Sequence, residues 1–178
     1  MISEENTEIS GFERAGVFPL AKTLNDNTAE HKKGRKQMEN KKLPPLSVDV
    51  KNVKPLIFGK EYESRMILDH VITGRDNVIQ INHGTVKAGY ALGGATHEED
   101  EIYYILSGKG KLTLDDEIID VYGGQVVFIP AGCFHALDNR ESDEDMCLLT
   151  FWRDYRFNDA YEARMKLWGK SFKTVDED

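Results

Sequence analysis

Short runs of β-branched and aromatic residues follow one another between residues 47 and 152, and turn-forming residues separate each run from the next. Gly93-Gly94 and Asp115-Asp116 are two of these turn signals. Many short strands with closely spaced turns are typical of an all-β sandwich or barrel. The region lacks the 3.6-residue periodicity of the helices that connect parallel strands. The sequence therefore predicts an all-β fold. Its expected strands are Ser47–Val50, Glu63–Val71, Asn77–Asn82, Thr85–Leu92, Glu101–Leu106, Gly110–Leu114, Glu117–Val121, Gln125–Ile129 and Cys147–Trp152.

For the strand predicted to begin at Glu101, we can predict which side chains face inward. Successive residues of a strand point to opposite faces of the sheet. If Glu101 faces the interior, Tyr103 and Ile105 face it too. Ile102 and Tyr104 then face outward.

Composition divides the chain into three segments. Residues 1–45 lack strand alternation, and the charge-rich stretch 25–42 is expected to be either a broken helix or disordered. Pro44 and Pro45 mark the boundary, because proline disfavours helix at its own position and at the preceding one. We expect a polar N-terminal arm at 1–45, partly helical or disordered, a barrel at 46–157, and a C-terminal helix and tail at 158–178.

The C-terminal helix is predicted from its capping residues and its periodicity. Asn158 is a good N-cap, the helix continues to Trp168, and Gly169 suits its end. Tyr161, Met165 and Trp168 fall on one face of this helix. We expect that face to pack against the outside of the barrel.

Charge and composition exclude several classes of partner. The formal net charge of -8 repels phosphate backbones, so nucleic acid is not expected as a partner. No apolar run approaches the roughly 18 residues of a membrane helix, and the acidic start does not resemble a secretory signal. Cys133 and Cys147 are too few for a disulfide framework. These features predict a cytoplasmic protein with free thiols.

One spaced motif surrounds a histidine and a glutamate. Gly89 is followed by five residues, then by Ala95, and His97 comes two positions later. Three residues separate His97 from Glu101, and six more separate Glu101 from Gly108.

A second spaced motif surrounds another histidine. Gly124 is followed by five residues, Pro130, Gly132 two positions later, His135 three positions after that, and Asn139. Together the two motifs resemble those that define the cupin family. The second matches at every position, whereas the first has an alanine where the family usually has a histidine.

The resemblance implies a double-stranded β-helix, the cupin jelly-roll barrel, with a divalent metal ion held by His97, Glu101 and His135. The family's remaining ligand is absent at Ala95. Two histidines and one carboxylate are the ligand set of non-haem iron oxygenases, and three protein ligands also suit catalytic zinc. This set does not distinguish iron, manganese, zinc, nickel and cobalt. The alternative is a hydrogen-bonded interior cluster without metal.

Other candidate residues have two interpretations each. Tyr103 is either a proton donor or substrate ligand beside the site, or an aromatic residue that fills the barrel. His83 is either a replacement for the missing ligand or an ordinary surface or core histidine. Cys133 is expected to be a bystander.

The predicted function is that of an enzyme acting on a sugar-like or carboxylate metabolite, of isomerase, lyase or dioxygenase type. In it Glu101 serves as a metal ligand and Tyr103 as acid or base. One alternative is a non-catalytic ligand-binding module. Another is a metal-free epimerase-like protein with His97 or His135 as base and Tyr103 as acid. By analogy with other barrels of this kind we expect a homodimer.

Overall fold

The computed structural model describes residues 46–75, 78–153 and 159–177, so the arm predicted at 1–45 lies outside the described residues. Within these residues, a 3-10 turn at Val50–Asn52 precedes nine strands and two helices. In chain order these are β1 (Leu56–Phe58), β2 (Tyr62–Leu68), α1 (His70–Thr73), β3 (Gln80–Val86), β4 (Glu101–Ser107), β5 (Lys109–Leu114), β6 (Glu117–Tyr122), β7 (Val126–Ile129), β8 (His135–Asp138), β9 (Met146–Trp152) and α2 (Asp159–Trp168).

The strands form two antiparallel sheets. Six of them lie in the order β1-β2-β3-β9-β4-β7, and the other three lie in the order β6-β5-β8. The last strand, β9, lies between β3 and β4, so the sheet order departs from the chain order as a jelly roll requires. The all-β prediction is therefore confirmed, and β4 and β8, which begin at Glu101 and His135, belong to different sheets.

The hydrophobic core lies between the inner faces of the two sheets. Ile105 from β4 and Leu112 from β5 are completely buried in it. The predicted alternation of β4 is confirmed, because its burial pattern runs buried, exposed, buried, exposed from Glu101 to Tyr104. Glu101 thus begins a row of inward side chains that continues into the core.

At the N-terminal side of the domain one predicted strand is absent and another ends early, and an aspartate caps a helical turn at both places. Ser47–Val50 is not a strand, because the carboxylate of Asp49 accepts a hydrogen bond from the Lys51 amide and caps the 3-10 turn. Strand Glu63–Val71 ends early, at Leu68, because Asp69 caps the one-turn helix α1. A helix of one turn is too short to show periodicity in the sequence.

A third correction concerns the middle of the six-stranded sheet. Two strands were expected there, Asn77–Asn82 and Thr85–Leu92. The structure has one continuous strand, β3, which runs through His83 and Gly84. The short edge strand β1 and strand β8, which starts at His135, are not among the strands predicted from the sequence.

Helix α2 ends as predicted but buries a different side chain. Gly169 has a φ of 70°, and its amide donates to the Met165 carbonyl, as suits a C-terminal stop. Met165 itself is 38% exposed, so the expected apolar face does not pack as a whole. Instead Arg164 is completely buried. The predicted cap at Asn158 lies outside the described residues, and neither described helix has the length and apolar character of a membrane span.

Candidate metal centre

His97, Glu101 and His135 come together at the junction of the two sheets. His97 lies in the loop before β4, Glu101 is the first residue of β4, and His135 is the first residue of β8. The same carboxylate oxygen, Oε2 of Glu101, lies 3.1 Å from Nε2 of His97 and 3.3 Å from Nε2 of His135. All three potential ligand atoms lie within 4.8 Å of one another. Folding therefore places the three predicted ligands around a common point.

The two glycine-bearing motifs lie side by side along the backbone. The Gly89 amide donates to the Asn139 carbonyl at 3.0 Å, and Ala95 and His135 exchange two hydrogen bonds of 3.0 Å. The Gly132 amide donates to the His97 carbonyl at 2.8 Å. This last glycine has a φ of 83°, a conformation that disfavours other residues. The spacings in the sequence therefore correspond to backbone pairing that fixes the positions of both histidines.

The orientation of both imidazole rings is set by backbone carbonyls. Nδ1 of His97 lies 2.8 Å from the Glu99 carbonyl oxygen, and Nδ1 of His135 lies 3.1 Å from the Cys133 carbonyl oxygen. A carbonyl oxygen can only accept, so each Nδ1 carries the hydrogen. In the neutral imidazole this leaves the Nε2 lone pair directed at the centre. Hydrogen bonds of this kind orient metal-binding histidines.

The titratable side chains of the centre are buried, and they shift one another's pKa values. Burial acts to raise the pKa of the Glu101 carboxyl, but hydrogen bonds from His135 and His97 outweigh it and hold that pKa below its ordinary value. Burial acts to lower the pKa of His135, but the hydrogen bond with Glu101 outweighs it and raises that pKa. The carboxyl is therefore ionised at neutral pH and attracts either a proton on an imidazole or a cation.

Tyr103 lies against this centre. Its ring makes an edge-on contact with the His135 ring, with 5.9 Å between the ring centroids. Burial raises the pKa of the Tyr103 phenol well above its ordinary value, and the charge of Glu101 adds to the effect. Tyr103 is therefore a neutral hydroxyl at physiological pH, able to donate a hydrogen bond.

The remaining candidates do not reach the centre. His83 alternates with the inward-facing Asn82 and Gly84, so its side chain points to the other face of β3, and the idea that it replaces the missing ligand is wrong. In the loop after His97, Asp100 accepts a hydrogen bond from the Ala131 amide. Cys133 and Cys147 are both free thiols.

Sequence reasoning identified Tyr103 but missed the other buried polar side chains of its row on the inner face beside the centre. Asn82, Thr150 and Tyr103 are register partners across β3, β9 and β4, and all three are buried. Tyr62 on β2 and Arg164 on α2 join this row through hydrogen bonds to Asn82. The sequence alone predicts that Arg164, in the polar helix α2, is exposed. The row can be recognised only from the contacts between the strands and the helix.

Comparison with known proteins identifies the family. The profile of the cupin domain matches residues 82–152, which include all three residues of the centre. Residues 82–152 of this chain belong to the cupin superfamily. Among curated proteins, an uncharacterized protein of Methanocaldococcus jannaschii is 42% identical over 43 residues, covering 24% of this chain and 34% of the relative. An uncharacterized protein of Streptomyces coelicolor is 36% identical over 47 residues, covering 26% and 45%. The chain therefore spans less than half the length of these relatives.

Solved structures support the same fold for this cupin. A Thermotoga maritima protein described as a predicted oxalate decarboxylase superposes with a TM-score of 0.55 at 22% identity, covering 61% of this chain and 98% of that one. A polyketide cyclase from Streptomyces resistomycificus superposes with a TM-score of 0.56 at 23% identity, covering 62% and 80%. At such identities the likeness concerns the fold alone.

Proposed function

We propose that this cupin holds a divalent metal ion at His97, Glu101 and His135 and acts on a small metabolite bound inside the barrel. The observation that carries the proposal is the orientation of the two imidazoles. Both Nε2 atoms are directed at one carboxylate oxygen while both Nδ1 atoms donate to backbone carbonyls. Two nitrogen lone pairs and an ionised carboxylate in a buried site form a donor set that fits a divalent transition metal.

Two considerations support the proposed reaction class. Three protein ligands would leave coordination positions of a metal ion open for a substrate, and the Tyr103 side chain lies beside the centre. When bound, the ion would act as a Lewis acid toward a substrate oxygen. Glu101 would supply negative charge to the centre, and the neutral hydroxyl of Tyr103 would donate a proton or a hydrogen bond to the substrate. We propose isomerase, lyase or dioxygenase chemistry on a sugar-like or carboxylate metabolite.

Metal loading is the direct test. Protein stripped with a chelator is incubated in turn with iron, manganese, zinc, nickel and cobalt salts, dialysed, and analysed for bound metal. We expect close to one ion per chain in the wild type and almost none in His135→Ala. His83→Ala is the matched control, since that histidine lies on the other face of its sheet, and it should bind as the wild type does. A wild-type protein that retains no metal under any of these conditions refutes the proposal.

A metal-free function is the second candidate, and one observation favours it. The hydrogen bonds of Glu101 with His97 and His135 satisfy the carboxylate without an ion, provided that an imidazole is protonated. Such a pair can exchange protons with a substrate. Turnover that persists unchanged in excess chelator would favour this candidate over the metal-dependent one.

We also propose that the chain forms a homodimer through the outer face of β4 and β7. Ile102 pairs with Phe128 and Tyr104 with Val126 across these strands, and all four are exposed. Phe128 and Val126 are 58% and 64% exposed on β7, an edge strand. Contiguous apolar patches of this kind mark association surfaces. Light scattering should give the mass of two chains, and Phe128→Glu should give one. A monomeric wild type would refute the proposal.

A further inference from the structure

The outer face of the six-stranded sheet is apolar beyond the patch on β4 and β7. Ile102 of β4 is paired with Phe151 of β9, and Phe151 is paired with Ile81 of β3. In the next row Tyr104 is paired with Leu149 of β9. Phe151, Ile81 and Leu149 are all partly exposed. Side chains paired across neighbouring strands share a face, so these residues extend the patch as one continuous apolar surface.

The area that a stable dimer buries requires this extension. A specific interface covers about 800 Å² of each partner, which corresponds to a disc about 16 Å in radius. Neighbouring strands lie about 4.8 Å apart, so β3, two strands from β4, is about 10 Å away from it. On the other side of β4 the sheet ends at β7. An interface of ordinary size that includes the exposed side chains of β4 and β7 therefore covers β9 and β3 as well.

A histidine lies on the part of this surface that belongs to β3. His83 is paired with Leu149 of β9 on one side and with Arg65 of β2 on the other. It is half-buried, and it lies in the same cross-strand row as Tyr104. A second chain that covers the row from Tyr104 to β3 would complete the burial of the imidazole.

The groups around His83 oppose its protonation. Burial lowers the pKa of His83, and the positive charge of Arg65 adds to the effect. Glu63 is the acid whose charge acts on His83, but its carboxylate is engaged by Arg65 at 2.9 Å and by Lys87 at 2.7 Å. The other neighbours on this face are uncharged, namely Leu149, Ile81 and Thr85. His83 is therefore neutral at physiological pH, and further burial lowers its pKa again.

We propose that His83 makes the homodimer sensitive to pH, because the neutral imidazole fits an apolar interface between two chains and a protonated one drives the chains apart. This inference rests on the proposed homodimer and adds its regulation. In a dimer with a two-fold axis both copies of His83 lie in the interface, so its separation takes up two protons. The dimer is then most stable above the pKa of His83 in the single chain, which is below 6.5, and weakens as the pH falls through it.

The test measures the dissociation constant of the full-length dimer by sedimentation equilibrium between about pH 7.5 and about pH 5, at constant ionic strength. Circular dichroism at each pH verifies that the chain stays folded. We expect the dissociation constant to rise in acid by up to about 100-fold per pH unit, the limit for uptake of two protons. His83→Gln, which cannot be charged, should dimerise equally at every pH, and His83→Lys should dimerise weakly at every pH. His70→Gln is the control, because His70 lies in α1 beside Tyr161 of α2 and not on the sheet. It should keep the wild-type pH dependence.

The outcomes separate the dimer from its regulation. A wild type that is a single chain at about pH 7.5 refutes the proposed homodimer. A wild-type dimer whose dissociation constant does not change with pH refutes the regulation and leaves the homodimer standing. The role of His83 is refuted if His83→Gln keeps the pH dependence or fails to dimerise at neutral pH. It is equally refuted if His83→Lys dimerises as tightly as the wild type.

Discussion

Replacing Gly84 by alanine tests a tight contact between β3 and the Tyr62 side chain of β2. The added Cβ would lie 2.4 Å from the Tyr62 hydroxyl oxygen, 2.9 Å from Cε2 and 3.0 Å from Cζ of the same ring. Two of these separations are closer than nonbonded atoms tolerate, so the tyrosine must move. Its hydroxyl is also held by Asn82 at 3.2 Å, and a movement would break that hydrogen bond.

The magnitude follows from two opposing effects. Overpacking a core position costs about 1–3 kcal/mol. Replacing a strand glycine by alanine recovers about 0.5–1 kcal/mol of backbone entropy. The net loss for Gly84→Ala is therefore about 0.5–2 kcal/mol, or a melting temperature lower by a few degrees, at about 2–4 °C per kcal/mol for a chain of this size.

The assay is thermal and urea unfolding of four proteins, namely the wild type, Gly84→Ala, Tyr62→Phe and the double variant. Removing the hydroxyl takes away the atom nearest to the new Cβ, so the double variant should be more stable than the sum of the single losses predicts, by about 1 kcal/mol. Gly93→Ala is the control, because nothing lies within 4 Å of a Cβ there. A Gly84→Ala protein as stable as Gly93→Ala would refute the packing of Tyr62 over Gly84.

Three further predictions address the centre and the core. Ala95→His should raise cobalt affinity at least about tenfold, the size of the contribution of outer-shell partners. Ala95 pairs directly with His135, and paired side chains share a face. Metal titration would measure it, and unchanged affinity would contradict it. Ile105→Ala should cost about 2–5 kcal/mol in chemical unfolding, whereas Ile102→Ala, 40% exposed on the same strand, should cost far less. Equal losses would refute the assigned faces. In metal-free protein the raised pKa of His135 gives stability that is complete below 6.5 and is lost as the pH rises through the folded-state pKa. The lowered pKa of Glu101 gives stability that is complete above 4.5 and is lost as the pH falls. The melting temperature with chelator present should therefore decline above about pH 6.5, and a flat profile would contradict the pairing.

The sequence predicted the centre well because its geometry is encoded locally. The loop and strand spacings around His97, Glu101 and His135 translate directly into the backbone pairs that join the two motifs. The alternation of buried and exposed side chains in β4 could also be predicted, because one face of that strand is buried and the other is exposed. Metal identity and reaction are not encoded in this way, because the same three ligand types suit several ions.

The errors arose where a distant residue determines the local structure. Gly84 was left between two predicted strands, yet it lies inside β3, where the Tyr62 side chain occupies the space of its missing side chain. Arg164 read as one more charge on a polar helix, yet the hydroxyl of Ser64 and the amide of Asn82 accept its hydrogen bonds inside the domain. In both cases a partner about 20 residues or more away supplies the reason.

Both errors concern one region of the molecule, the polar contacts around Asn82. A glycine that makes room for a tyrosine ring, and an arginine buried without a carboxylate in contact, both cost stability compared with an apolar filling. Departures from local rules of this kind are expected at functional sites rather than in a purely structural core. They converge on Asn82, which is in register with Thr150 and Tyr103, so this polar row is a candidate extension of the proposed site along the inner face of the six-stranded sheet. If that interior were only structural, an apolar residue at 164 should raise the free energy of unfolding.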